Sequence, residues 1–194
     1  MSQNDKKQFV SRGGIKLQAV LDKFQIDVKD KVVLDVGSST GGFVDCLLQQ
    51  GAKKVYAVDT AYGELAWRLR NDPRVVVMER INILHLESLP EPVDLITIDA
   101  GWTKLELILP IVKKFLKPDG FIIALLKPHY QADKKILRKG VVPEDLVESI
   151  KNQVLRIIEE LGFKIQGEME SPILGGAGNR EYLLFCEVKK QAGF

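Results

Sequence analysis

Apolar and polar positions alternate along the chain in blocks that predict a repeating order of strands and helices. Strand-like apolar runs cover 32–36, 54–59, 75–79, 93–99 and 121–127, and helix-like stretches cover 16–24, 41–50, 63–71, 103–117 and 143–161. Two further β-like stretches, 164–171 and 180–188, follow one another near the end. This order predicts a doubly wound α/β sandwich with a mostly parallel seven-stranded sheet and an antiparallel C-terminal hairpin strand.

The chain has the size and composition of one ordinary domain. Its 194 residues are 45% hydrophobic, enough to bury a core. We expect a flexible N-terminal segment over 1–10 and a single domain over 11–190. The N-terminus has no apolar signal region, and no apolar run approaches ~18 residues, so we expect a soluble cytoplasmic protein. The cysteines, Cys46 and Cys186, suggest neither a disulfide framework nor a zinc site.

Charge adds a local signal but no global one. The formal net charge is only +2, which by itself does not indicate a nucleic-acid partner. Basic side chains cluster in two places, at Lys6, Lys7, Arg12 and Lys16 and at Lys134, Lys135, Arg138 and Lys139. Either cluster could contact phosphates, and either could equally be ordinary solvated surface.

The turn from Asp35 to Phe43 is the most informative local motif. An apolar strand enters a glycine turn and a helix follows, which allows a ligand to approach the backbone closely. The next strand ends in Asp59, which is placed to bind the hydroxyls of a ribose. A nucleoside-containing cofactor is therefore predicted. The alternative is a glycine turn that merely joins a strand to a helix.

The same turn favours one cofactor over another. Its pattern, Asp-x-Gly-x-x-x-Gly-Gly, lacks the G-x-G-x-x-G of dinucleotide folds. The charge of Asp35 would repel a pyrophosphate and attract a sulfonium. We therefore expect S-adenosylmethionine (SAM) as the cofactor. The alternative is an NAD-dependent dehydrogenase, and an assay that compares binding of NAD with binding of SAM would distinguish the two. The predicted cofactor contacts are Asp35, Gly37, Ser38, Ser39, Gly41, Gly42, Phe43 and Asp59.

Three polar residues stand at the carboxyl ends of predicted strands, where ligands of open α/β sheets bind. They are Asp59, Asp99 and Lys127. Lys127 closes a strongly apolar run, so a functional role is the leading interpretation, with a lysine that merely reaches solvent as the alternative. Asp99 could instead cap the following helix.

Several separated motifs resemble one known family. They are Ser11-Arg12-Gly13-Gly14-Ile15-Lys16-Leu17, the Asp35 to Phe43 turn, Leu126-Lys127-Pro128, Ser171-Pro172-Ile173 and Gly178-Asn179-Arg180-Glu181-Tyr182. Their order over residues 9 to 188 resembles the hemolysin-A-type (TlyA) branch of the FtsJ-like RNA 2′-O-methyltransferases. The resemblance implies a Rossmann-like class I methyltransferase sandwich that uses SAM to methylate ribose 2′-hydroxyls, usually of ribosomal RNA cytidines.

The resemblance also implies a catalytic tetrad of Lys16, Asp99, Lys127 and Glu181. Asp99 is expected to contact the cofactor as well, and Asn82 to approach the adenine. A ribose hydroxyl needs a general base, and a lysine can serve only when neutral, which costs an unperturbed lysine ~4.6 kcal/mol at pH 7. Our hypothesis is that Lys127 is the base, although the proton belongs to a coupled set of groups rather than to one lysine.

The chain departs from the family pattern in places that concern RNA. The family usually carries a small RNA-binding domain ahead of the first motif, so we expect either a catalytic fragment or a different RNA-binding surface. Trp102 and Tyr130 replace other residues beside the expected substrate groove, where they could stack an unpaired base or simply pack. His129 also differs and could contact substrate or lie exposed. A non-catalytic RNA-binding or ribosome-associated module remains an alternative, and membrane lysis is disfavoured.

Overall fold

A seven-stranded sheet runs through the protein in the computed structural model, which describes residues 9–189. The strands are β1 Val32–Val36, β2 Lys54–Asp59, β3 Val75–Glu79, β4 Val93–Ile98, β5 Leu116–Leu126, β6 Phe163–Glu170 and β7 Tyr182–Val188. The helices are α1 Gly13–Phe24, α2 Gly42–Gln49, α3 Trp67–Arg70, α4 Leu105–Val112, α5 Pro128–Gln131 and α6 Glu144–Glu160. Short 3-10 turns occupy Ile83–His85, Lys113–Phe115 and Lys134–Ile136.

The strand order is β3-β2-β1-β4-β5-β7-β6, and only β7 runs against its neighbours. β1 pairs in parallel with both β2 and β4, whereas β7 inserts antiparallel between β5 and β6. This confirms the predicted mostly parallel sheet with an antiparallel C-terminal strand. The parallel strands therefore end at one edge of the sheet, where their terminal side chains meet.

Helices cover both faces of the sheet, which explains why the central strands read as continuous apolar runs. Every residue of β1 is buried. Val33 packs toward α1 and α2, whereas Leu34 packs toward α4 and α6, because successive strand residues point to opposite faces. The two apolar layers hold the strand ends in fixed positions.

The segment predicted as a helix over 63–71 is helical only over Trp67–Arg70, so that prediction was wrong in extent. Backbone N–H groups that precede this short helix bond to the loop after β1 and to the end of β3, and not to carbonyls of the same segment. The Ala66 N–H donates to Thr40 O at 3.1 Å, and the Gly63 N–H donates to Glu79 Oε1 at 3.0 Å. The predicted helix over 103–117 likewise ends at Val112 and continues as a 3-10 turn into β5.

The N-terminal segment expected to be flexible lies mostly outside the described residues. Its last two residues are packed against the domain. Phe9 and Val10 contact the apolar layer around α1 and α2, and the Val10 N–H donates to Asp45 Oδ2 at 2.8 Å. This contact fixes the entry into α1, the helix that carries Lys16.

Three negative findings apply to residues 9–189. Within this range no helix is long and apolar enough to cross a membrane. The same range contains no cluster of three or more His, Cys, Asp or Glu side chains that could hold a metal ion. Both cysteines lie buried without a disulfide, and burial raises the pKa of the Cys186 thiol to about 12.

Candidate active site

A cavity of about 620 Å³ opens at the carboxyl ends of β1, β2 and β4. Its wall includes most of the predicted cofactor contacts: Gly37, Ser38, Ser39, Gly42, Phe43, Asp59, Asn82 and Asp99. The start of α1 closes one side, because Ser11, Arg12 and Gly13 also line it. The structure thus brings together residues from five separate segments of the chain.

Two glycines of the turn are required because other backbone segments pack directly against them. Gly37 has φ +84°, and a Cβ there would stand 2.7 Å from Asp99 O. A Cβ on Gly42 would collide with Ser11 Oγ and lie 2.9 Å from Gly14 N. Any larger residue would separate β1 from β4 or α2 from α1. The two glycines therefore hold the turn, the end of β4 and the start of α1 close together around the cavity.

Carboxylates and an amide line the far side of this cavity. Asp59 is held in place by two backbone donors, with Ser39 N–H on Oδ2 at 2.7 Å and Ala61 N–H on Oδ1 at 2.8 Å. Glu64, which the sequence analysis missed, accepts the Ser39 hydroxyl at 3.1 Å. Asn82 Oδ1 caps the following turn by accepting Leu84 N–H. These acceptors suit the hydroxyls of a ribose, so the wall fits a nucleoside-containing ligand.

Two predicted contacts, Asp35 and Gly41, do not line the cavity. Asp35 is fully buried beneath the turn, where its Oδ1 accepts the Thr97 hydroxyl at 2.5 Å. Burial raises the pKa of Asp35 to about 7, so the full negative charge expected to face the ligand is not present at neutral pH. Gly41 faces α3 instead, since a Cβ there would collide with Leu69 and crowd Leu65.

A second, larger cavity of about 1360 Å³ lies on the other side of the strand ends. Its wall comes from α5, α6 and the loops around 132–140 and 176–181. Four residues line both cavities: Lys16, Asp99, Trp102 and Lys127. The two cavities therefore adjoin, and three members of the predicted tetrad stand at their junction.

The tetrad forms two ion pairs. Lys16 Nζ lies 2.5 Å from Glu181 Oε2, and Lys127 Nζ lies 2.6 Å from Asp99 Oδ1. The second contact is charge to charge rather than an aligned hydrogen bond, because Asp99 Oδ1 accepts no aligned bond from the described residues. Two ammonium and two carboxylate groups balance each other when all four are ionised.

Each member of the tetrad comes from a different element. Lys16 lies in α1, Asp99 follows β4, Lys127 follows β5, and Glu181 precedes β7. The side chains of Lys16 and Glu181 are only 11% and 4% exposed, so this pair is held in a mostly dry environment. Lys127 and Asp99 are more accessible, at 14% and 22%. The two lysines are therefore similarly exposed, and both face the junction of the two cavities.

Aromatic side chains border the junction. The rings of Trp102 and Tyr130 have centroids 5.0 Å apart, and Lys127 Nζ lies 5.4 Å from the Tyr130 ring centroid. Trp102 is 80% exposed, adopts φ +63° and contacts the Tyr130 ring of α5, so it both packs against a neighbouring helix and leaves most of its surface open. His129 also lines the second cavity. Burial lowers its pKa, Glu181 opposes that shift, and Lys127 and Lys16 add to it.

The fold is that of a doubly wound α/β protein with a ligand-sized cavity at the carboxyl ends of its parallel strands. A family model for FtsJ-like methyltransferases matches residues 9–187, and the chain belongs to that family. It is 43% identical over 185 residues to the "Putative rRNA methyltransferase YqxC" of Bacillus subtilis, covering 91% of this chain and 65% of that protein.

Two further comparisons agree with this assignment. The 16S/23S rRNA (cytidine-2′-O)-methyltransferase TlyA of Mycobacterium tuberculosis is 40% identical over 190 residues, covering 96% of this chain and 71% of TlyA. A solved structure described as "Putative hemolysin from Streptococcus thermophilus" has a TM-score of 0.91 at 38% identity, covering 97% of this chain and 70% of that one. The chain therefore spans about two thirds of the length of these relatives.

Proposed function

We propose that the protein transfers a methyl group from SAM to a ribose 2′-hydroxyl of ribosomal RNA, with cytidine as the target nucleoside. The observation that carries this proposal is the shared wall of the two cavities. Lys16, Asp99 and Lys127 line both, so a ligand in each would meet at the same ionisable groups. A relative of 40% identity is named for this reaction. A ribosomal substrate would place the protein in the cytoplasm.

The first cavity suits SAM through the residues already described. Gly37 and Gly42 let the segments around the cavity pack closely, and Asp59 and Glu64 offer acceptors for ribose hydroxyls. Asn82 lies on the same wall, where it would approach the adenine. When bound, SAM would supply an electrophilic methyl group on a sulfonium. The buried Asp35 would support the turn from below and would not contact SAM.

Lys127 is the proposed general base. When the ribose oxygen forms its bond to the methyl carbon and the carbon–sulfur bond breaks, the hydroxyl proton would pass to Lys127 Nζ and the electron pair would stay on sulfur. A lysine can accept that proton only in its neutral form. General base catalysis of this kind contributes about 10²–10⁴-fold to the rate.

The remaining tetrad members position the reacting groups. The Lys16–Glu181 pair is nearly excluded from water, so its geometry is held by a strong local interaction. Asp99 holds the Lys127 ammonium group through the 2.6 Å ion pair. Alignment of oxygen, carbon and sulfur then supplies much of the remaining acceleration.

The second cavity is the proposed RNA site. Trp102 and Tyr130 offer faces on which an unpaired base can stack, next to the proposed base Lys127. Four exposed basic residues occupy the adjoining loop: Lys134, Lys135, Arg138 and Lys139. Lys134 itself lines the cavity, so this loop can bind the phosphates on either side of the target nucleotide.

The test is methyl transfer from labelled SAM to purified ribosomal subunits and, separately, to naked ribosomal RNA. The labelled RNA is digested to nucleosides, and ribose 2′-O-methylation is distinguished from base methylation. We expect label in 2′-O-methylcytidine from at least one of the two substrates. Label in a base would contradict the proposed acceptor. Absence of transfer from a protein that binds SAM and ribosomal RNA would instead favour a non-catalytic ribosome-binding module.

A further inference from the structure

Asn179 bridges two loops that form opposite parts of the second cavity. The residue is only 3% exposed. Its Oδ1 accepts the Val142 N–H at 3.2 Å, and its Nδ2 donates to Gly140 O at 3.0 Å. One side-chain amide thus satisfies two backbone groups of a segment that lies 37 and 39 residues away along the chain. A buried amide with both ends engaged makes a specific connection.

The first loop, residues 132–142, carries the basic side chains. Its internal bonds are local: Asp133 caps the 3-10 turn through Lys135 N–H at 2.9 Å, and Arg138 and Val141 exchange two backbone bonds. Within residues 9–189, the hydrogen bonds that join residues 133–142 to another element both end on Asn179. The position of the basic loop therefore depends on this side chain together with the apolar contacts of Val142 and Leu137.

The second loop carries Glu181. The Gly175 N–H donates to Asn179 O at 2.9 Å, and the Gly178 N–H donates to Gly175 O, which closes a tight turn before the strand. The Ser171 N–H then donates to Glu181 O at 2.8 Å, which fixes the carboxylate residue at the start of β7. Asn179 is thus part of the structure that presents Glu181, two positions before it.

We propose that Asn179 is a positioning residue for RNA: it holds the basic loop 132–142 against the Glu181 loop and so fixes the width of the second cavity. This inference rests on the proposed function, because it assigns RNA to that cavity. Gly140, Glu181 and the basic Lys134 line the second cavity and not the first, so loss of the bridge should disturb RNA and leave the cofactor undisturbed.

The first measurement uses the loop's own trypsin sites and needs no catalysis. Asn179→Ala is compared with Asn152→Ala, an exposed asparagine of α6. Cleavage after the basic residues between 134 and 139 is timed in the folded proteins. We expect Asn179→Ala to be cut about 10-fold faster than the unaltered protein, because the loop opens locally, and Asn152→Ala to match it. An unchanged cleavage rate in Asn179→Ala would overturn the proposal.

The second measurement separates a role in RNA binding from a general loss of structure. Affinity is measured for a fluorescein-labelled single-stranded ribosomal RNA fragment and, separately, for SAM. We expect Asn179→Ala to lose about 10-fold in RNA affinity, equivalent to about 1.4 kcal/mol, with SAM affinity unchanged. Loss of RNA affinity without faster loop cleavage, faster cleavage without loss of RNA affinity, or a parallel loss of SAM affinity would each overturn the positioning role.

A second variant guards against failure of the alanine protein to fold. Asn179→Asp keeps an acceptor for Val142 N–H but sets a carboxylate oxygen against Gly140 O, so it should be cut faster and bind RNA more weakly than the unaltered protein. An Asp variant with unaltered RNA affinity and faster cleavage would contradict the proposal. Failure of the proposed function shows separately, as absence of methyl transfer by the unaltered protein, because neither measurement here requires transfer.

Discussion

Gly175 lies directly against the carboxylate of Glu181. A Cβ added to Gly175 would stand 2.5 Å from Glu181 Oε1, while the other oxygen, Oε2, lies 2.5 Å from Lys16 Nζ. The carboxylate is therefore confined between a bare backbone on one side and an ammonium on the other. A glycine is needed at position 175 for the space it leaves, since its φ is not in the positive region that disfavours other residues.

Gly175→Ala should displace Glu181 without straining the backbone. The added methyl group must displace the Glu181 carboxylate from its present position beside Lys16, and a misplacement of about 1 Å at an active site can cost about 100-fold in rate. We expect kcat to fall by about that factor, with the melting temperature and the SAM affinity little changed. Steady-state kinetics and calorimetry check this. Unaltered kcat would mean that the position of Glu181 is not critical.

Gly37→Ala should weaken SAM binding by about 10-fold or more, because its Cβ would press on Asp99 O and the backbone has φ +84°. Gly51→Ala is the matched control. Gly51 also has a positive φ, of +89°, but its Cβ would make only ordinary contacts with Lys29, outside both cavities. Both variants should lose stability. Titration calorimetry with SAM should detect weaker binding only in Gly37→Ala, and equal losses would point to a general effect of strain.

Asp35 should make the protein less stable as pH rises. Its folded pKa is about 7 and its ordinary value is 3.8, so between these values the folded protein holds a proton that the unfolded chain has lost. Stability from this group is present below pH 4 and is lost as pH rises through 7, by up to about 4 kcal/mol.

The isosteric variant Asp35→Asn removes this dependence while keeping an acceptor for Thr97. Urea unfolding at about pH 5 and about pH 8 measures the free energy of unfolding of both proteins. Relative to the unaltered protein, Asp35→Asn should be more stable at the higher pH than at the lower one. A constant difference between the two proteins would show that Asp35 is ionised normally.

Trp102→Ala should raise the KM for ribosomal RNA, because base stacking on an aromatic ring contributes about 1–3 kcal/mol, and Trp102→Phe should retain most of the affinity. Trp67→Ala is the control, since Trp67 is 77% exposed in α3 and lines neither cavity. We expect no change in the melting temperature from Trp102→Ala. An equal effect of the two tryptophans on KM would exclude a specific stacking site.

Most strands were predicted accurately because burial between two helical layers makes their sequences continuously apolar. Strand β5 is the exception, since it begins at Leu116 and not at 121. Strands β1, β2 and β3 begin and end where the apolar runs do. The helix over 63–71 was overestimated because its backbone bonds go to Thr40 and Glu79, which no local periodicity reports. Asp35 was expected to face the cofactor, but it lies fully buried beneath the turn. The sequence does not show which residues cover Asp35 in space.

The site could be predicted only in part from residues alone. Asp59, Asp99 and Lys127 follow from strand ends, whereas Lys16 and Glu181 came from family resemblance, since the pair joins positions 165 apart. Asn179 appeared only as a member of the motif around Glu181, and Gly175 was not singled out. Both lie in a glycine-rich loop without periodicity, and their roles depend on which distant atoms they meet.

The central claim is that Lys127 removes the proton at the junction of the two cavities. The most direct test is the single-turnover rate of methyl transfer from SAM to ribosomal RNA by the unaltered protein and by Lys127→Met. We predict that the rate of 2′-O-methylation falls by about 10²–10⁴-fold while SAM and RNA affinities stay close to those of the unaltered protein. Transfer by Lys127→Met at the unaltered rate would contradict the account.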